Sequence, residues 1–140
     1  MSSDDPFSMG TVELRSGRWQ WMIQDERSGY RIYFRHQSRL NDEMQAWVAA
    51  RNLTPEGVRE AGADPLHRVW QDRDGMMWRV TLEMPSGQEA SMTKGLHLVF
   101  SRGALRKAVE VAPTTALGEL THRELSDLFQ GPEARTGPST

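Results

Sequence analysis

The chain has no cysteine. Its absence removes structural disulfides, thiolate metal sites and a cysteine nucleophile together, and it fits a reducing compartment. Lysine is nearly missing as well: Lys94 and Lys107 stand against fifteen arginines. The net charge is still only −2 over 140 residues, and a general nucleic-acid binder usually carries a basic excess, so that class is disfavoured. No apolar run approaches the ~20 residues that a membrane-spanning helix needs. Met1 to Pro6 is polar and acidic, without the basic lead and apolar stretch of a secretory signal. These features together predict a cytoplasmic protein.

The usual marks of catalysis and cofactor binding are also missing. Gly57, Gly62 and Gly75 stand alone, so no glycine-rich loop is available to cradle a phosphate. No Gly-x-Ser-x-Gly elbow occurs. His36, His67, His97 and His122 show no i, i+4 or His-x-His spacing, which leaves no zinc motif. The acidic pairs Asp25–Glu26, Asp42–Glu43 and Asp72–Asp74 sit at turns or helix starts, where carboxylates cap and hydrogen-bond backbone. The sequence therefore predicts a chain that is not an enzyme and needs no metal or cofactor.

What is present is a strong two-residue period. From Val69 to Val80, two tryptophan-bearing runs flank a turn containing Asp74-Gly75, a pair that favours chain reversal. Met76, Trp78, Val80, Leu82 and Met84 alternate with Met77, Arg79, Thr81 and Glu83, as in a strand with one buried face. Earlier, Val12 and Leu14, then Trp19, Trp21 and Ile23, then Tyr30, Ile32 and Phe34 alternate in the same way, separated by Ser16-Gly17 and Ser28-Gly29. Strands resume over 66–72, 96–101 and 105–111.

Two stretches carry helical signals. Leu40, Met44, Trp47 and Val48 are spaced i, i+4, i+7, i+8, with Ser38 or Asn41 as caps, and Thr54-Pro55 opens a second, short helix that Gly62 and Pro65 stop. Thr121 and Glu124 form a capping box before Leu125, Leu128 and Phe129, and Gly131-Pro132 ends that last helix. The expected fold is α+β: a strongly bent antiparallel sheet of about seven strands, curling toward a partly open barrel. A helical insertion follows the third strand at about 38–62, and a C-terminal helix covers about 122–130. The expected organisation is a flexible lead over 1–9, one β-rich domain over 10–130 and a disordered tail over 131–140.

Function is read from residue types. Arginine and tryptophan are enriched where proteins bind one another. The favoured reading is a non-catalytic protein-interaction module, or an accessory subunit of a larger assembly, that binds another protein through an Arg/Trp-bearing sheet face or the inserted helix. Arg31, Tyr33 and Arg35 share one strand face, Trp47 is placed on the inserted helix, and Trp70 is the tryptophan expected at the surface. The alternative is a small-molecule or lipid-binding half-barrel with a cavity lined by Trp19, Trp21, Trp78 and Met76. A third reading places single-stranded nucleic acid on the Arg31, Tyr33 and Arg35 face through stacking and phosphate contacts.

Overall fold

The computed structural model describes residues 9–84 and 96–136, with side chains as far as residue 130. The polar loop expected at 85–93 and all but the last residue of the expected lead lie outside the described residues. Eight strands run in sequence order: β1 (Met9–Leu14), β2 (Gly17–Glu26), β3 (Gly29–His36), β4 (Glu43–Ala49), β5 (His67–Gln71), β6 (Met77–Glu83), β7 (Leu96–Arg102) and β8 (Leu105–Val111). Every neighbouring pair is antiparallel, and the sheet is a single meander with β1 and β8 at its two edges rather than a closed barrel. Helix α1 (Pro55–Ala63) follows β4, and helix α2 (His122–Thr136) follows β8. The described residues thus run four strands and an α-helix, twice.

The extra strand is β4, where a helix was expected. The spacing of Leu40, Met44, Trp47 and Val48 also contains a second pattern: Met44, Ala46 and Val48 alternate with Glu43, Gln45 and Trp47. Pairing decides between the two patterns. Seven consecutive residues of β4 find partners on β3, from Arg35 opposite Glu43 to Gly29 opposite Ala49. Met44, Ala46 and Val48 are buried by that pairing, while Leu40 is left 72% exposed outside the strand. The helical part of the insertion shrinks to a 3-10 turn (Ala50–Asn52) and α1. There the expected start is found: Thr54 Oγ1 accepts from the Gly57 N–H at 3.0 Å, with Pro55 next to the cap.

The Asp72–Gly75 reversal is organised by one carboxylate. Asp72 Oδ1 accepts the N–H of Asp74 and of Met76, both at 2.9 Å, and Oδ2 accepts Trp78 Nε1–H at 3.0 Å. Gly75 takes φ +82°, a value that favours a residue without Cβ. Burial pushes the Asp72 carboxyl up, but the donors from Met76, Trp78 and Asp74 together hold it below its usual range. Strand β6 is shorter than its alternation suggests: Met76 and Met84 lie beyond its ends and are 42% and 75% exposed.

Alternation gives the sheet an inner and an outer face. The inner face carries two apolar clusters. The first joins Leu14, Trp19, Trp21, Ile32, Phe34, Met44, Ala46 and Val48 of β1–β4 to Val58 of α1. The second joins Trp70, Val80, Leu98 and Phe100 to Leu117 and to Leu125 of α2, with Trp78, Leu128 and Phe129 packed against it. Fully burying one such side chain contributes about 1.5–3 kcal/mol, so each half of the sheet is held chiefly by its own helix and strands.

Between the clusters lies a buried ion pair. Arg68 of β5 faces inward, between Met44 on β4 and Val80 on β6, and is wholly buried. Its Nε and Nη2 donate to the two carboxylate oxygens of Asp42, each at 2.8 Å. Its Nη1 donates to the carbonyls of Leu117 (2.9 Å) and Leu120 (2.7 Å), and its guanidinium lies 5.3 Å from the centre of the Trp19 ring. One side chain therefore links β2, the β3–β4 connection, β5 and the segment leading into α2. The same segment approaches α1 closely: a Cβ on Gly118 would fall 1.7 Å from the Gly62 carbonyl oxygen, so no larger residue fits.

Helix α2 starts as its sequence predicts. The Thr121 N–H donates to Glu124 Oε1 at 3.0 Å, and the Glu124 N–H donates to Thr121 Oγ1 at 3.1 Å. Both Glu124 oxygens also receive Arg15 from the β1–β2 turn. Those donors hold the Glu124 carboxyl at about 2. The helix continues past Gly131-Pro132, the expected stop, to Thr136.

Candidate interaction surface

The outer face of β1–β5 gathers most of the residues singled out in the sequence. Strand parity puts Arg31, Tyr33 and Arg35 of β3 on this face. Register then places Arg31 opposite Trp47, Tyr33 opposite both Met22 and Gln45, and Arg35 opposite both Gln20 and Glu43. Trp47 was expected beside Met44 on one helical face. In β4 the two point to opposite sides, so Met44 is core and Trp47 is 40% exposed among the outer residues.

A row of directly opposed residues crosses five strands here: Met9, Met22, Tyr33, Gln45 and His67. Met22 and Met9 are 48% and 54% exposed. An open groove of about 390 Å³ runs beside this row, walled by Gln20, Met22, Tyr33, Arg35, Glu43 and Gln45. The face is mixed: apolar and aromatic surface from Met22, Tyr33 and Trp47, and amide donors and acceptors from Gln20, Gln24 and Gln45.

Its arginines are mostly paired. Arg31 Nε donates to Glu26 Oε2 at 2.8 Å, which together with the Glu26 charge outweighs burial and raises the Arg31 pKa. Arg35 lies 3.5 Å from Glu43, and Arg18 lies 3.3 Å from Glu13. Tyr33 donates its hydroxyl to Gln24 at 3.0 Å. Arg79 on β6 has no acidic partner among the described residues. Diagonally across from it on β5, His67 is pushed down first by burial and then by Arg79 and Arg31, and its Nδ1 has no hydrogen-bond partner among the described residues.

Trp70 is not part of this surface. It faces inward from β5, is 0% exposed, and packs on Phe100 and Phe129 at 5.6 and 5.7 Å between ring centres. The β5 sequence does not alternate apolar with polar residues, because its buried face carries Arg68 beside Trp70. Trp70 Nε1–H donates to His122 Nδ1 at 2.9 Å, so His122 is a half-buried acceptor rather than a plain surface residue. Trp19 and Trp21 lie in the first cluster, Trp78 packs on the second, and Met76 sits in the β5–β6 turn. The structure does not bring these four around a common space.

Four carboxylates of the acidic pairs are occupied structurally. Asp42 holds Arg68, Glu43 faces Arg35, Glu26 holds Arg31 and Asp72 builds its turn. Among the described residues no three His, Asp or Glu side chains are grouped to hold a metal ion, and no helix is long and apolar enough to cross a membrane. Comparison of the chain with family models, with curated proteins and with solved structures finds no match.

Proposed function

We propose that the protein is a non-catalytic interaction module, or accessory subunit of a larger assembly, that docks another protein on the outer face of β2–β4. One observation carries the reading. Arg31, Tyr33 and Arg35 of β3 share one open sheet face with Trp47 of β4 and Met22 of β2, beside a groove of about 390 Å³. Burial of Met22, Tyr33 and Trp47 against a partner supplies apolar contact, and Gln20 and Gln45 supply orientation. Large aromatics and arginines of this kind dominate binding energy at protein interfaces. The pairing of Arg31 and Arg35 with acids favours a protein over nucleic acid, because phosphate binding draws its affinity from cations free to displace counterions.

The test is affinity purification of the tagged protein from its native cell, beside a Met22→Glu/Trp47→Glu variant. Both changes lie on exposed positions, so the fold is retained, as circular dichroism would check. The reading expects one stoichiometric component to be lost from the variant and kept by a Glu56→Lys control on α1. An unchanged set of components with the variant overturns it.

A further inference from the structure

The second apolar cluster is covered by α2, and the start of that helix carries a titratable contact. Leu125, Leu128 and Phe129 press on Trp70, Trp78 and Phe100, with Phe129 4.9 Å from Trp78 and 5.1 Å from Phe100 between ring centres. His122 is the first residue of α2, and its Nδ1 accepts the Trp70 indole N–H. An imidazole accepts there only when Nδ1 carries no proton. Trp70 is wholly buried, so a lost acceptor leaves its N–H with no water to turn to.

The surroundings work against a second proton. Arg39 and Asp42 from the β3–β4 connection, Arg68 from β5 and Arg73 from the β5–β6 turn all act on the ring. Three of these four are cations, and the one acid is already bound twice by Arg68. On α2 itself, Glu124 is held by Arg15 and Thr121. A positive charge at a helix start is also opposed by the helix dipole.

We propose that His122 is a proton-operated latch: its neutral ring pins the start of α2 to Trp70, and its protonation releases α2 and uncovers the Trp70, Trp78 and Phe100 face. Burial, followed by the nearby arginines, lowers the affinity of the docked ring for a proton below that of a free one. The released state binds the proton more readily, so acid favours release. The released population rises by up to about tenfold for each pH unit below the free imidazole value, and levels off below the docked one. This inference stands independently of the docking surface on the outer face.

The experiment is hydrogen exchange of backbone amides over 125–130 between pH 7.5 and 5, corrected for intrinsic rate, with the β2–β3 amides as the reference for whole-chain opening. Wild type is expected to lose protection in α2 as pH falls through the window below 6.5, while β2–β3 stays protected. His122→Gln offers an amide oxygen to Trp70 and binds no proton, so its α2 protection is expected to be flat with pH. Equal loss in β2–β3 and α2, or a His122→Gln profile like wild type, overturns the proposal. Nitrogen chemical shifts of His122 in the unaltered protein test it without any variant. An unprotonated Nδ1 that titrates below 6.5 supports the latch, and titration at or above that value overturns it.

Discussion

Removing the Asp42 carboxylate tests how the two halves of the sheet are joined. Asp42→Ala leaves the Arg68 guanidinium wholly buried, held only by the Leu117 and Leu120 carbonyls and the Trp19 ring. Deleting one partner of a buried pair typically costs about 3–5 kcal/mol, because the remaining charge has neither water nor counter-ion. For a domain whose total stability is on the order of 5–15 kcal/mol, that is a large share. At roughly 3 °C per kcal/mol for a chain of this size, the melting temperature falls by about 9–15 °C. The assay is urea unfolding followed by tryptophan fluorescence and by circular dichroism. Arg68→Met alone orphans Asp42 and two carbonyls, so it also destabilises strongly. The double variant Asp42→Ala/Arg68→Met removes both charges, and its loss is expected to be at least about 2 kcal/mol smaller than the sum of the two single losses, the mark of direct coupling. A single Asp42→Ala loss under about 1 kcal/mol, or additive single losses, would refute the reasoning.

Three further outcomes follow from contacts already described. Gly118→Ala places its Cβ on the Gly62 carbonyl and should cost at least about 1–3 kcal/mol in thermal unfolding, where an exposed glycine would tolerate the change. Thr121→Ala removes the cap accepting the Glu124 N–H and should cost about 1 kcal/mol by the same measurement. Glu124 has a depressed carboxyl, so its contribution to stability is fully present above its ordinary value of 4.5 and is lost as pH falls toward about 2. Denaturation midpoints over that range should decline less steeply in Glu124→Gln than in wild type.

The sheet was legible because its strands alternate cleanly around an apolar interior. Trp19, Trp21, Ile32, Phe34 and Val80 fall on the side their period assigns, and the Asp-Gly reversal and the Thr121 capping box are local signals that need no tertiary context. Strand β4 was hidden because Met44 and Val48, four residues apart, fit a helical and an extended period alike, and only pairing with β3 separates the two. That ambiguity also moved Trp47 from a supposed helix face to the outer sheet face. Arg68 was hidden for a different reason. An inward arginine breaks the polar-out pattern, and only the distant Asp42, Leu117 and Leu120 groups make its burial tolerable. Trp70 is buried by other distant contacts, packing on Phe100 and Phe129, and its partner His122 lies 52 residues away. For the outer face, the shared parity of Arg31, Tyr33 and Arg35 was readable within one strand. The addition of Met22, Gln45 and Trp47 required the register.

Because the chain has no cysteine of its own, a single introduced thiol reports on one position at a time. Thiol labelling of Met22→Cys and Gln45→Cys, with Arg123→Cys on α2 as reference, measures the account's main assertion when carried out on the free protein and on the complex isolated from cells. Labelling at 22 and 45 is expected to slow in the complex while position 123 reacts as before. Slowed labelling at 123 with 22 and 45 unchanged would contradict it.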